Sequence, residues 1–442
     1  MVLGAGCAGL AAARAALDQG WPVVLLEQAA RPGGLAGGVR FGPNIYEYGP
    51  HMLHASDPEI LAELRALAGP ELHAYRRTIK IKFAGSWFDF PLTLGDILGK
   101  LPPATLARAG LSWAWRRLRA RRLGRAAPAT SATVLTQAYG RVLYEVFFRD
   151  YIARVWGLGP EEFSPAFARE RVLRLRIMGR AGSSPTPAFF STSQGFALLT
   201  DRLAEQVQAR GGGLRLGARV TGLAHQAGRV RAVIYQQAGR QVTLPCAGVI
   251  NTLPLPAALA MLTPPPPPPV QEAAARLHFR PAVFVGLLVR RERVLPASYV
   301  YFREHSCNRV CDLGQFGVRV EPPGHTILVA EITCAQEGRP WQDPDFAVKG
   351  VLADLEAEGL VTPDEVAERH VYRAAQAYPI YTLGFEEHRA RCLEHLAGLA
   401  NLRSAGRQGR FAYLNAHQAL RQGREAAQSL GRPEGRPSEE YL

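Results

Sequence analysis

The chain has 442 residues, 47% of them hydrophobic, and a formal net charge of +14. That length can bury a core large enough for two domains, and no apolar run approaches the roughly 18 residues that a bilayer-spanning helix requires. Among the 52 basic residues only Lys80, Lys82, Lys100 and Lys349 are lysines. The charge is therefore nearly all arginine, which fits a composition bias or a phosphate-bearing ligand; no nucleic-acid recognition motif accompanies it, so nucleic acid is not an expected partner.

The N-terminus opens directly in a strand and a glycine turn, so no signal peptide and a cytoplasmic location are expected. Six cysteines are scattered along the chain, and only Cys307 and Cys311 lie close together. A metal centre needs more ligands at suitable spacing, so no metal is expected and the thiols read as small buried residues in a reducing compartment.

In chain order, Val2–Leu3 reads as a short strand, Ala11 to Leu17 as a helix packed closely on a sheet, and Val23 to Leu26 as a buried parallel strand. Residues 58 to 180 are mostly helical in pattern. "KIKFAGSWFDFPLT" interrupts them as a strand pair turning at Ala84–Gly85. "LSWAWRRLRARRLGR", residues 111 to 125, is aromatic and then basic; it reads as a solvated helix face, or as a contact with a membrane surface or a partner. From Gly195 strands joined by glycine turns resume, and "AGVINTLPLPAAL" is a further strand closing on a proline loop. "TPPPPPPV", Thr263 to Val270, is expected to be a stiff connector between domains. Residues 281 to 335 alternate as strands, and the segment from Asn401 reads strand, glycine turn, long helix.

The expected fold class is α/β with an α+β insertion. A Rossmann-like nucleotide domain is built from residues 1–75, 194–262 and 385–430. Residues 76–193 and 263–384 form a substrate domain of mixed sheet and helix, and 431–442 form a polar tail.

The first chemistry-bearing motif is Gly4, Gly6 and Gly9 in G-x-G-x-x-G spacing. The first glycine permits the tight turn, the second lets backbone approach a pyrophosphate, and the third lets helix and strand pack closely. The helix N-terminus adds free N–H groups and a positive dipole end. Glu27 follows at the end of the next strand, where a carboxylate can accept ribose hydroxyls. A dinucleotide is therefore expected. "ARPGGLAG" places Arg31, Gly33 and Gly34 in an R-x-G-G element that resembles the loop passing the FAD pyrophosphate in a large group of flavoproteins.

With these motifs together, the chain resembles the superfamily of FAD-dependent amine oxidases, protoporphyrinogen oxidases and phytoene desaturases. Several stretches are most similar to UDP-galactopyranose mutases. "YEYGPHMLHASDPEI" resembles the mutase turn in which a histidine lies against the flavin. This implies flavin-proximal catalytic roles for His51 and His54, with a satisfied turn histidine as the plainer reading of each. "YIARVWGLGPEEFSPAFARERVLRLRI" resembles the mutase segment with a nucleotide-side aromatic and a diphosphate arginine, implying Trp156 and either Arg174 or Arg176. "YFREHSCNRVCDLGQF" puts Arg309 where a second such arginine stands. In "NLRSAGRQGRFAYLNAHQAL", Tyr413 matches a phosphate-contacting tyrosine, and the helix starting near Asn415 faces the flavin. Asn415, Ala416 and His417 stand where the mutases carry an acidic pair around a methionine, a departure that bears on the substrate.

The resemblance implies non-covalent FAD held by Gly4, Gly6, Cys7, Ala8, Gly9, Glu27 and Gln28. It adds Arg31, Gly33, Gly34, Leu35, Gly49, Pro50 and His51, then Val220, whose backbone contacts adenine. Gly406, Arg407, Tyr413, Leu414 and Asn415 complete the cradle. The function expected is an FAD-dependent oxidoreductase of unassigned substrate. One alternative is a mutase-like enzyme using reduced flavin on a nucleotide sugar without net redox; another is a non-catalytic flavin-binding protein. The expected partner is a small molecule, with a diphosphate in the mutase alternative. The sequence carries no signal for oligomeric state.

Overall fold

A computed structural model describes residues 1–54, 56–123, 129–172 and 189–431. Five short strands form a parallel sheet: β1 (Val2–Leu3), β2 (Val24–Leu26), β3 (Gly213–Arg215), β4 (Val249–Asn251) and β5 (Leu402–Ser404). Their order is β3-β2-β1-β4-β5, and every neighbouring pair is parallel. Sequence pieces some 400 residues apart thus share one sheet. All three residues of β2 are buried, which is why its sequence shows no polar alternation: helices cover both faces of such a sheet.

The first helix, Cys7–Asp18, lies against this sheet with eight buried residues, mostly alanine. Small side chains let two other helices approach it, Ala197–Ala209 and the C-terminal Ala416–Gln428. At the second crossing, a Cβ on Gly423 would collide with the backbone of Ala8. Helix backbone cannot yield as a flexible side chain does. Gly423→Ala is therefore expected to destabilise the protein by about 1–3 kcal/mol, read as a lowered midpoint in chemical unfolding.

A seven-stranded sheet forms the second body. Its order is Val366–Pro379, Phe279–Val289, Thr326–Thr333, Arg309–Asp312, Tyr299–Phe302, Ile79–Phe83 and Ser86–Asp89. Only the Tyr299–Phe302/Ile79–Phe83 pair is parallel. The last two strands are joined at Ala84–Gly85 with φ of 47° and 73°, the left-handed pair that a two-residue hairpin requires. One face of the sheet packs on Val348, Val351 and Leu355. The other holds Tyr46, Phe316 and Tyr372 and turns toward the site described below. A further hairpin sheet, Arg219–Gln226 through Arg240–Pro245, adjoins β2, with Ala218 N–H donating to Glu27 O at 2.8 Å.

The proline run differs from expectation. Thr263 ends a strand paired with Ala224, and Pro268 already begins the helix Pro268–Ala275. Proline fits a helix's first turn because its missing N–H has no intrahelical acceptor there. Only residues 264 to 267 act as connector, and they join a strand to the next helix. No helix among the described residues is long and apolar enough to cross a membrane.

Candidate functional site

The three motif glycines meet three separate demands. Gly4 has φ +93° and donates its N–H to Leu26 O at 2.8 Å. Gly6 caps the first helix with no side-chain hydrogen bond, and a Cβ added to it would meet nothing within 4 Å. A Cβ on Gly9 would collide with Gly4 O. The turn thus leaves open space in front of a helix N-terminus whose N–H groups no capping side chain occupies, as a pyrophosphate needs. Gly33 and Gly34, at φ +111° and +55°, fold onto it: Gly33 N–H donates to Ala5 O at 2.7 Å, and a Cβ on Gly34 would lie 3.3 Å from Gly6 Cα. Arg31 points away and pairs with Asp201 at 2.8 Å. Gln28 is exposed, Leu35 and Pro50 are half-buried, and Ala8 is buried in the core. Cys7 is buried too, and burial pushes its thiol up to about 12, so it stays protonated.

Glu27 has a structural task beside the one expected of it. Its carboxylate is buried, with one oxygen accepting Ala5 N–H at 2.8 Å and the other accepting Ala29 N–H at 2.8 Å. It braces the glycine turn, and each oxygen keeps a further lone pair for a ribose hydroxyl. Val220 lies in the hairpin sheet two residues beyond the Ala218–Glu27 bond. Gly406, φ +82°, opens a short helix against the first one, where a Cβ would lie 2.8 Å from Ala8 Cβ. Asn415 caps the C-terminal helix reciprocally with Gln418.

The Gly49–Pro50–His51 turn sits on Arg309. A Cβ on Gly49, φ +86°, would lie 2.9 Å from Arg309 Nη2. His51 Nδ1 is enclosed without a hydrogen-bond partner. Burial, and then Arg407 and Arg309, push the imidazole down to about 3, so it is neutral. His54 is less enclosed; its Nδ1 accepts Ser56 N–H at 3.1 Å, and its ring lies 6.1 Å from that of His417. Burial and Arg77 lower its pKa.

Glu47, absent from the sequence expectation, accepts Phe196 N–H at 2.6 Å and His51 N–H at 3.3 Å, and burial pushes it up to about 7. It holds the turn that carries His51. An acid between two tyrosines in "YEYGPH" was the available signal.

The second cluster is built on Tyr413. The Arg171 guanidinium lies 3.3 Å from its ring centroid and that of Arg407 lies at 4.5 Å. Arg407 is fixed by Nε and Nη2 donating to Leu414 O at 3.0 and 2.6 Å. Burial alone would raise the Tyr413 phenol, but Arg171 and Arg407 outweigh it and hold it down at about 8. Arg309 pairs with Glu331, whose other oxygen accepts from Tyr378 OH at 3.0 Å. Burial and Glu331 raise the Tyr378 pKa, so that hydroxyl keeps its proton. Arg171 Nε is buried with no hydrogen-bond partner.

Beside these groups lies a cavity of about 160 Å³ walled by Phe147, Phe148, Tyr151, Trp156, Phe167 and Tyr301, with Arg171, Arg309 and Glu331 at one side. Trp156 is held edge-on by Phe167 at 5.0 Å and Tyr378 at 5.7 Å. Trp156 and Arg309 both line this cavity, and Tyr413 adjoins it through the Arg171 guanidinium. Arg174 and Arg176 lie outside the described residues, and the arginine at the cavity is Arg171. Four arginines in "ARERVLRLR" give the sequence no means of choosing among them. Among the described residues no cluster of three His, Cys, Asp or Glu side chains could hold a metal, and all six cysteines are free thiols.

Residues 7–430 match the model of the family described as flavin containing amine oxidoreductase. The probable UDP-galactopyranose mutase of Klebsiella pneumoniae is 26% identical over 183 residues, spanning 39% of this chain and only 45% of that protein. The structure of reduced UDP-galactopyranose mutase superposes with a TM-score of 0.81 at 19% identity, covering 99% of this chain and 96% of that one. Cyclohexylamine oxidase from Brevibacterium oxydans IH-35A superposes at 0.67 with 17% identity, covering 97% of each chain. These likenesses share one fold, and its flavin fits the observations here: open space at Gly6, a helix N-terminus with no capping side chain and an unpaired His51 Nδ1. With a family match running over nearly its whole length, this chain belongs to the flavin-containing amine oxidoreductases.

Proposed function

We propose that the chain binds FAD without a covalent link and acts on a nucleotide sugar, rearranging it as a mutase does, with reduced flavin and no net electron consumption. The observation that carries this reading is Arg171: a half-buried arginine with an enclosed, unpaired Nε, set over Tyr413 at the edge of an aromatic cavity. Aromatic walls suit a planar base, and a fixed guanidinium suits the diphosphate beside it. When bound, FAD supplies the bond-making chemistry. The chain's own groups do the rest. Phe147, Tyr151 and Trp156 sandwich the ring, Arg171 and Arg309 hold phosphate oxygens, and the Tyr378 hydroxyl, donating to Glu331, fixes the carboxylate that pairs with Arg309. His51, a neutral imidazole with an unpaired Nδ1, would be among the residues that hold the flavin. On this reading residues 1–75, 194–262 and 385–430 carry FAD, and residues 76–193 and 263–384 carry the substrate.

A second reading is favoured by the Arg309–Glu331 pair. Arg309 is already charge-balanced, so the cavity would also suit an apolar substrate with a single negative charge, oxidised by hydride removal. Titration of the yellow protein with UDP and UDP-sugars tests the two. A perturbed flavin spectrum, with turnover only after chemical reduction, supports the mutase reading. An unperturbed spectrum with oxygen uptake on a monoanionic substrate supports the oxidase.

Tyr413 gives the binding a pH signature. As pH rises through about 8, the phenolate forms beside Arg171 and competes with the substrate anion for its charge. UDP affinity is expected to fall roughly threefold to tenfold between about pH 7 and 9, and the fall should vanish in Tyr413→Phe. Calorimetric titration across that range measures it.

A further inference from the structure

Eight large hydrophobic side chains are exposed among the described residues, and six of them lie between positions 94 and 118. Leu111, Trp115 and Leu118 are 73%, 70% and 53% exposed. They sit at i, i+4 and i+7 of the helix Pro103–Leu123, on one narrow stripe. Leu94 and Leu98, also exposed, repeat the i, i+4 spacing on the preceding helix Leu94–Lys100. The long helix is seated elsewhere on its circumference, where the backbone of Trp113 approaches Gly140 and Leu106 packs with Ile97 and Phe147. The stripe therefore faces away from the core.

The surrounding sequence is strongly basic. Residues 94–144 contain nine lysines and arginines against one acid, Asp96, which is buried and paired with Lys100. Such a face repels a second copy of itself, and a stripe of leucine and tryptophan adds nothing to binding a phosphate backbone. Both features are used at a lipid surface, where tryptophan and leucine enter the headgroup boundary and arginines meet anionic lipid.

We propose that the helix Pro103–Leu123, with Leu94 and Leu98, docks the protein on an anionic membrane surface. Docking would bring the cavity close to the lipid, because Leu92 lines that cavity and packs with Ile97 and Leu101 of the docking element. The inference does not depend on the reaction proposed above.

The test is co-sedimentation of the flavin-loaded full chain with vesicles of phosphatidylcholine, alone or mixed with phosphatidylglycerol. Binding is expected only with phosphatidylglycerol, weakened by salt. It should fall at least about tenfold in L111S/W115S/L118S, which leaves the charge unchanged. Retained flavin colour and an unshifted melting midpoint show that this variant is folded. Equal binding by the variant overturns the proposal, since charge alone would then account for it. No binding by the wild-type chain overturns it too. So does a wild-type dimer that the variant dissociates, or co-purified nucleic acid that vesicles fail to displace.

Discussion

Replacing Gly6 with valine is expected to give a folded, colourless protein. Gly6 has φ −76° and ψ −178°, a backbone any residue adopts, and its Cβ would point into open space. Nothing in the fold therefore resists a side chain there. That space is where a pyrophosphate must come within hydrogen-bonding distance of the first helix's N–H groups, and an isopropyl group would fill it. Flavin content per chain should drop at least about tenfold, with little change in the thermal midpoint of the apoprotein. Gly9→Val is the contrasting case. Its Cβ would strike Gly4 O, so helix and strand must separate and the variant should fail to accumulate as soluble protein. Absorbance per chain and thermal unfolding distinguish the two outcomes. A yellow Gly6→Val protein would remove the glycine turn from the cofactor site.

Arg171→Ala is expected to keep its flavin and to weaken UDP binding about 10- to 100-fold. A hydrogen bond to a charged group contributes about 1.5–3 kcal/mol, and two contacts from one half-buried guanidinium fall within that range. Arg171→Lys should recover little, because an ammonium cannot offer paired donors in a fixed plane. The substitution also removes the leading positive neighbour of Tyr413, so the phenol should titrate above about 8, visible as a shifted ultraviolet titration. Unchanged UDP affinity in Arg171→Ala would refute the phosphate-clamp reading, whatever the flavin content.

The features legible in the sequence were those that a local rule forces. A collision at Gly9, a positive φ at Gly4 and Gly33, and the left-handed pair at Ala84–Gly85 each demand a particular residue type at a particular place. The buried run of β2 was readable for the same reason. Features set by long-range packing were less accessible. Arg171 is one arginine among several closely spaced, and only the convergence of Tyr413, Trp156 and the cavity selects it. Glu47 looks like any surface acid until Phe196 N–H, contributed from 149 positions away, is found donating to it. The proline run looked like a linker because composition reveals stiffness without showing where a helix begins.

Purified protein, heated and clarified by centrifugation, shows directly whether this chain holds FAD without a covalent bond. About one equivalent of FAD per chain in the supernatant is the predicted result. A colourless preparation that takes up no FAD, or flavin that remains with the precipitated chain, would contradict it.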